Sequence, residues 1–448
     1  MSPKTGIPFT LFLLLLAALA CSPSPTTPGS EEVIATSVAA TLQAAESELP
    51  SPTAEIPSTA TPEPAEKPPE EAPLSLQFVY VQAGDVWLWE EGNPPRRLTE
   101  SGDAVDVSLS PDGELVAYTR EMDDDIHDEL WVVNADGSEE RRLVSAADFD
   151  DRVTHPDALT TLPVYPDWIP GTHTLAFLTT PTFEGPGLVL SNDLQVADAE
   201  TGEQRTLLSP GEGGRFFYAP DGSRLAVVTP TQISLLNADG TQRSDVLTYP
   251  LILTYSEYQY YPEVVWLPDS SAARVVIPPP DVLAEPEQPT RVWHLPADGS
   301  EPTLLMEMVT VPFFTNPPQL APDGQRIAYL RPLEDSENHS ELHLAGADGT
   351  EDTIYAAGQL NFSGWSPQGE YFLYTQEGGN TPYIGKVGES ALPVPGINHI
   401  RRVRWLDETH YLYLDRTPEQ WELRLGSREE PHTPITTSPR FISFDTLR

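Results

Sequence analysis

The sequence is short of cysteine and of lysine, and both shortages restrict what the protein can do. Cys21 is the only cysteine among 448 residues, which leaves one unpaired thiol. Three lysines are present, and 25 basic residues stand against 68 acidic ones, giving a formal net charge of −43. This charge repels phosphate backbones and anionic lipid head groups, so we expect no nucleic-acid partner and no membrane attachment by charge. The simplest explanation of the high negative charge is solubility, and a surface that binds cations or a basic partner is the alternative explanation.

The sequence also lacks an apolar run long enough to cross a bilayer. The run Ile7–Ala20 falls short of the roughly 20 residues that a spanning helix needs, and is typical of a secretion signal. Its end, residues 18–21 (ALAC), resembles a bacterial lipobox, in which the cysteine is acylated. We therefore predict a signal peptide over 1–20, and lipidation of Cys21 on the outer face of a bacterial cell membrane, with no other membrane contact. An ordinary cleavage site beside an incidental cysteine is the alternative.

Residues 21–73 show no sustained strand pattern and are rich in Pro, Ser, Thr and Glu. Proline restricts the backbone to an extended conformation without internal hydrogen bonds, so this composition predicts a disordered, semi-rigid tether. At ~3.1 Å per residue, the 24 residues from Pro50 to Pro73 would reach roughly 75 Å. The tether would hold a folded body, residues 74–448, away from the membrane.

Motifs of common enzymes are missing as well. No G-x-S-x-G nucleophile elbow is present, and the nearest match, Gly364–Gln368 (GWSPQ), lacks the closing glycine. The nine histidines are scattered without an H-E-x-x-H pair. No recognisable catalytic constellation follows from the sequence, which favours a binding module over an enzyme.

The folded body consists of a repeat of about 50 residues. A Pro-Asp-Gly turn at residues 111–113 recurs at 220–222 and 322–324, and degenerate copies lie at 170–171, 268–270, 367–369 and 407–408. Each copy precedes a short apolar strand. A second turn, Ala-Asp-Gly, recurs at 135–137, 238–240, 297–299 and 347–349. Asp-Gly between apolar runs indicates a β-hairpin, because glycine adopts positive φ without steric cost. Each unit is therefore predicted to form four antiparallel strands, which we label a to d. Tandem four-stranded units of this kind are the blades of a β-propeller.

The second unit, SPDGELVAY followed by LWVVNADGSEERRLV, resembles the TolB-type WD40-like propeller repeat of the PD40 family. The resemblance implies the propeller fold and says little about function. Members of the family include periplasmic assembly factors, N-terminal domains of prolyl oligopeptidase-like enzymes and pectate-fragment lyases.

Seven units contain an a–b turn, and an eighth unit at the front lacks strand a. Its other strands are predicted at Phe78–Val81, Asp85–Trp89 and Arg96–Thr99. At the far end, Phe441–Phe444 (FISF) alternates like a strand and has no unit of its own. We expect it to supply the missing strand and close a monomeric ring of eight blades; seven blades is the alternative.

The a–b and c–d turns of a propeller lie on one face, and the b–c and d–a loops lie on the other. The long loops of this sequence all belong to the second face, where we expect binding. An acidic loop there suggests a weak Ca²⁺ site, since Ca²⁺ prefers carboxylate oxygens, although solvated charges are the simpler explanation. The candidate ligands are Asp123, Asp124, Asp125 and Asp128.

A second group on the same face is aromatic. Exposed aromatic rings contribute contact area at low entropic cost, so we predict a binding surface for a protein, peptide or glycan ligand. Packing of these rings over the blade ends is the alternative. The candidate residues are Tyr255, Tyr258, Tyr260, Tyr261, Phe313 and Phe314. The sequence thus favours a binding or scaffold module without a cofactor. A lyase or hydrolase that uses residues dispersed around the central channel is the alternative.

Overall fold

The computed structural model describes residues 76–121, 128–145, 147–149, 158–183, 190–256, 258–333, 336, 338–376, 381–394, 397, 400–429 and 432–447; for Asp128 only the backbone is described. Cys21, the signal peptide and the tether lie outside the described residues, as do Asp123, Asp124 and Asp125. Within the described residues, no helix is long and apolar enough to cross a membrane.

The described residues form eight four-stranded antiparallel sheets, which are the blades of a propeller. Blade 1 contains β1 (Gln77–Gln82), β2 (Asp85–Glu90), β3 (Arg96–Arg97) and β32 (Phe444–Thr446). Blade 2 contains β4 (Ala104–Leu109), β5 (Leu115–Glu121), β6 (Asp128–Asn134) and β7 (Arg141–Val144). Blade 3 contains β8 (Thr160–Trp168), β9 (Thr174–Thr182), β10 (Leu194–Asp198) and β11 (Gln204–Leu208). Blade 4 contains β12 (Arg215–Tyr218), β13 (Arg224–Thr229), β14 (Gln232–Asn237) and β15 (Ser244–Thr248).

The second half of the chain continues the same order. Blade 5 contains β16 (Val264–Trp266), β17 (Ala272–Ile277), β18 (Thr290–Pro296) and β19 (Thr303–Met308). Blade 6 contains β20 (Gln319–Leu320), β21 (Arg326–Pro332), β22 (Ser340–Gly346) and β23 (Thr353–Gly358). Blade 7 contains β24 (Asn361–Trp365), β25 (Tyr371–Gln376), β26 (Thr381–Lys386) and β27 (Leu392–Pro393). Blade 8 contains β28 (Ile400–Trp405), β29 (His410–Arg416), β30 (Trp421–Ser427) and β31 (Thr433–Ser438). The prediction of eight blades is confirmed.

The C-terminus closes the ring, as predicted, although the closing strand lies further along the chain. β32 pairs antiparallel with β1, with Tyr80 opposite Phe444. Asp445 on β32 accepts hydrogen bonds from Ser108 Oγ at 3.2 Å and from the Leu109 backbone N–H at 3.1 Å, which ties it to the inner strand of blade 2. The predicted strand at Phe441–Phe444 was therefore misplaced: Phe441 is exposed and outside the strand, because the residues up to Ser443 connect β31 to the closing strand.

The repeated turns have structural roles. In the a–b turn of blade 2, Asp112 Oδ1 accepts hydrogen bonds from Ser110 Oγ at 2.6 Å and from the Glu114 backbone N–H at 3.1 Å. Gly113 between them has φ +74°, which a side chain disfavours. In blade 4 the backbone N–H and hydroxyl of Ser223 donate to Asp221 and lower the pKa of that carboxyl. These aspartates hold their hairpins together through hydrogen bonds within the turn.

The core lies between the blades. Leu115 and Val132 of blade 2 pack with Trp168 and Phe177 of blade 3 in one buried cluster. Several inner-strand tryptophans also bond to the preceding blade: the indole N–H groups donate to backbone carbonyls of the neighbouring inner strand. The pairs are Trp168 to Ser108 at 3.4 Å, Trp266 to Phe217 at 3.0 Å and Trp365 to Gln319 at 3.0 Å.

Candidate functional site

Three adjoining long loops on the face of the b–c and d–a connections carry the aromatic residues that the sequence singled out. They connect β15 to β16 (residues 249–263), β17 to β18 (278–289) and β19 to β20 (309–318). The first two loops touch through the hydrogen bond from the Leu253 backbone N–H to the Pro280 carbonyl at 2.9 Å. The first and third touch through the rings of Tyr260 and Phe313, whose centroids lie 4.4 Å apart. The loops therefore form one continuous surface, the loop patch.

The loop patch exposes a concentration of apolar side chains. Among the described residues, thirteen large apolar side chains are exposed, and six of them belong to these three loops. They are Leu251, Leu253, Tyr255, Tyr258, Leu283 and Phe314. Contiguous exposed apolar patches mark interaction surfaces, whereas apolar side chains exposed singly are ordinary.

Not every predicted aromatic residue is accessible. Tyr258 is 51% exposed and Phe314 is 52% exposed. Tyr260 and Phe313 instead pack against the buried cluster of blades 4 and 5, and burial raises the pKa of Tyr260. The two explanations offered for the aromatic group thus apply to different members: the outer rings face solvent, and the inner rings pack over the blade ends.

Polar contacts fix the remaining tyrosines. The Tyr255 hydroxyl donates to the Asp281 carboxylate, which raises the pKa of Tyr255 and lowers the pKa of Asp281, while its ring stays exposed. The Tyr261 hydroxyl lies 3.1 Å from Asn192 Oδ1, and the ring packs against the clusters on either side of it. Both tyrosines therefore hold loops in place in addition to presenting rings.

The acidic loop proposed for Ca²⁺ is described only at its margins. Glu129 is buried and accepts hydrogen bonds from Arg142 Nη1 and Trp131 Nε1, both at 2.9 Å. In the adjacent loop, Asp148 Oδ2 accepts a hydrogen bond from the Ser145 backbone N–H at 2.8 Å. These two carboxylates already have protein partners. Asp123, Asp124 and Asp125 and the side chain of Asp128 lie outside the described residues, so the Ca²⁺ site stays a prediction.

The central channel holds a charged cavity of about 740 Å³. The inner strands supply its lining, including four carboxylates and three guanidinium groups. These are Asp106, Asp167, Glu263, Asp445, Arg215, Arg402 and Arg404. Among the described lining residues no histidine is present. The channel therefore offers charge pairs for holding a ligand, without an imidazole for proton transfer.

Bulges shape the channel wall. The inner strands of blades 3 and 8 each depart from regular pairing, and in each bulge one residue adopts positive φ: Tyr165 at +54° and Arg402 at +39°. Bulges redirect side chains and often occur beside binding sites. Here the Arg215 guanidinium lies over the Tyr165 ring, 4.2 Å from its centroid, and the Arg402 guanidinium lies 5.1 Å from the centroid of the Phe444 ring.

Sequence reasoning did not identify the channel arginines or the exposed leucines of the loop patch. Arg402 and Arg404 lie three residues and one residue before Trp405, the inner-strand tryptophan that aligns with Trp168 and Trp266. Alignment of the repeats could therefore have placed these arginines in the channel. No local pattern distinguishes Leu251, Leu253 and Leu283 from buried leucines.

No protein-family model matches the chain, and no curated protein matches it. Solved structures with a similar fold include an oligogalacturonate lyase in complex with manganese (16% identity, 67% of this chain, 81% of that chain, TM-score 0.44). A second is the β-propeller domain of the Trilobed protease from Pyrococcus furiosus (18% identity, 75% of this chain, 98% of that chain, TM-score 0.46). A third is a eukaryotic initiation factor (13% identity, 81% of this chain, 95% of that chain, TM-score 0.48). Since all three TM-scores are below 0.5, function must be argued from the residues of this chain.

Proposed function

We propose that the protein is a binding module that recognises a protein partner through the loop patch. The observation that carries this proposal is the presence of six exposed apolar side chains on three loops that touch one another. Exposed leucines favour a protein over a glycan, because sugars stack on aromatic faces and offer little to aliphatic side chains. A net charge of −43 disfavours the anionic lipid surface that a similar patch could otherwise contact.

The proposed location follows from the N-terminal sequence. Acylation of Cys21 would anchor the chain, and the Pro-rich tether would extend the propeller outward from the membrane. A module placed in this way meets extracytoplasmic or membrane-associated partners.

A matched pair of variants tests the loop patch. Tyr258→Ser/Phe314→Ser removes two rings that are more than half exposed, and Leu304→Ser/Ile354→Ser removes two exposed apolar side chains from the outer strands of blades 5 and 6. Cross-linking in intact cells followed by affinity purification is expected to recover a partner with the wild type and with the outer-strand variant, and to lose it with the loop variant. Equal recovery by all three proteins would contradict the proposal. Tyr260 and Phe313 are left intact because their loss would disturb the core.

Catalysis in the channel is the second candidate, favoured by the bulged residues Tyr165 and Arg402 at a cavity with three arginines. Guanidinium groups bind carboxylates in bidentate fashion, so acidic oligosaccharides are the substrates to offer. Turnover by the wild type that Arg402→Gln abolishes, measured by mass spectrometry of the products, would support catalysis. Unchanged oligosaccharides, or equal turnover by both proteins, would contradict it.

A further inference from the structure

A groove runs between blades 7 and 8, away from the loop patch and from the channel. It arises because the outer strand of blade 7, β27, has two residues, whereas the outer strand of blade 8, β31, has six. Pro393 in β27 has no backbone N–H to extend the ladder along β26. The short strand leaves a cavity of about 730 Å³ beside β26 and leaves Leu392 68% exposed.

One wall of the groove is apolar. Ile384, Leu392, Pro393 and Val394 line it from blade 7, and Tyr371 lies at its base. Ligand pockets commonly combine such an apolar wall with a few convergent polar groups.

The charged groups of this groove include more cations than carboxylates, in a chain where acidic residues outnumber basic ones by 68 to 25. Lys386, Arg424 and Arg428 all line the cavity, against the two carboxylates of Glu389 and Glu429. The Lys386 ammonium pairs with Glu389 at 2.6 Å, and the Arg424 guanidinium lies 3.2 Å from a carboxylate oxygen of Glu422.

Arg428 differs from the other two cations. Its guanidinium stacks on the Tyr371 ring at 3.6 Å, and within the described part of the chain no carboxylate pairs with it. Its Nε is buried and has no hydrogen-bond acceptor among the described residues. The side chain as a whole is only half-buried and lines the cavity, so an anion there would meet its positive charge without a competing carboxylate among the described residues.

The Tyr371 ring holds this arrangement together. Lys386 Nζ lies 5.6 Å from the ring centroid, so one aromatic ring positions two cations. An anionic group between Arg428 and Lys386 would leave the rest of its molecule beside Ile384 and Leu392.

We propose that this groove binds a small organic anion, with the charged group held by Arg428 and Lys386 and the apolar body packed against Ile384 and Leu392. The site is independent of the loop patch, because its residues belong to blades 7 and 8 and the loop patch belongs to blades 4 to 6.

Fluorescence titration with anilinonaphthalene sulfonate tests the proposal. This probe joins an anionic group to aromatic rings, and its fluorescence rises in an apolar site. We expect saturable binding to the wild type, and an affinity that falls about tenfold or more in Arg428→Gln because a charge-assisted contact is lost. The control is Arg291→Gln, which removes a guanidinium from the surface of blade 5, where Arg291 pairs with Glu307 at 2.8 Å.

A second variant keeps the test decisive if Arg428→Gln unfolds. Leu392→Ser changes a side chain that is 68% exposed, so the fold should tolerate it, and we expect it to weaken probe binding severalfold. Decanoate should displace the probe from the wild type. Binding that is absent or does not saturate, or that is equal in the wild type, Arg291→Gln, Arg428→Gln and Leu392→Ser, would overturn the proposal.

Discussion

Single tryptophans on the inner strands join one blade to the next. Trp266 buries its indole and donates to the Phe217 carbonyl of the preceding blade at 3.0 Å. Trp405 occupies the equivalent position in blade 8, and its indole nitrogen has no hydrogen-bond partner among the described residues. Both tryptophans therefore contribute packing, and Trp266 also contributes a hydrogen bond between blades.

This difference predicts unequal costs for the same substitution. Trp266→Phe should lower the free energy of unfolding by about 1 kcal/mol more than Trp405→Phe, since it leaves the Phe217 carbonyl without its indole donor. Urea denaturation of both variants gives the comparison. Equal losses would mean that the hydrogen bond contributes nothing beyond packing.

His173 connects two blades on the face of the tight turns. Its Nε2 lies 2.6 Å from Asp112 of blade 2, and its Nδ1 lies 2.7 Å from Glu200 of blade 3. Burial lowers the pKa of His173, but the hydrogen bonds to Glu200 and Asp112 outweigh burial, and the pKa is raised. A raised pKa means that the folded state binds the proton more tightly than the unfolded chain does.

The stabilisation should therefore be complete below the unfolded pKa of about 6.5 and should disappear as the pH rises through the raised folded value. We expect the melting temperature of the wild type to exceed that of His173→Gln at low pH, and the difference to shrink as the pH increases. NMR titration should give a lower pKa for His173 in Glu200→Gln. A difference that grows with pH would contradict this assignment.

At the scale of secondary-structure elements, the closing strand β32 decides whether blade 1 is complete. Phe444 is fully buried on it, and Phe78 and Leu412 in the same cluster belong to blades 1 and 8. The ring is therefore closed by noncovalent contacts between the two ends of the folded body.

Deletion of residues 440–448 removes this strand. The loss of Ile442 and Phe444 from the core should lower the free energy of unfolding by about 5 kcal/mol or more. Deletion of residues 447–448 alone retains β32 and serves as the control. A melting temperature that is the same for both truncations would contradict closure by β32.

Some features of these elements could be predicted from the sequence, and others could not. The hairpin turns around Asp112 and Asp136 were predictable because their geometry depends on residues within one turn. The burial of Tyr260 and the exposure of Tyr258 were not, because both depend on how loops from blades 4 and 5 pack. The groove beside β26 was equally hidden, since it results from the length of β27 relative to its neighbour in the next blade.

At the scale of the whole molecule, the proposed lipid anchor at Cys21 determines where the protein is located. Cys21→Ser should move the protein from the membrane fraction to the soluble fraction, because the acyl chains would be its only attachment. Ser22→Ala is the control, and metabolic labelling with palmitate gives a second measurement. A Cys21→Ser protein that still sediments with membranes would contradict the lipoprotein assignment.

The loop patch is the proposed partner-binding surface. Photo-cross-linking tests it directly, with benzoylphenylalanine placed at Tyr258 in one protein and at Leu304 in another, since both positions are exposed. We predict that irradiation of intact cells gives a discrete adduct with one partner at position 258 and none at position 304. The same adduct at both positions, or no adduct at 258, would contradict the claim.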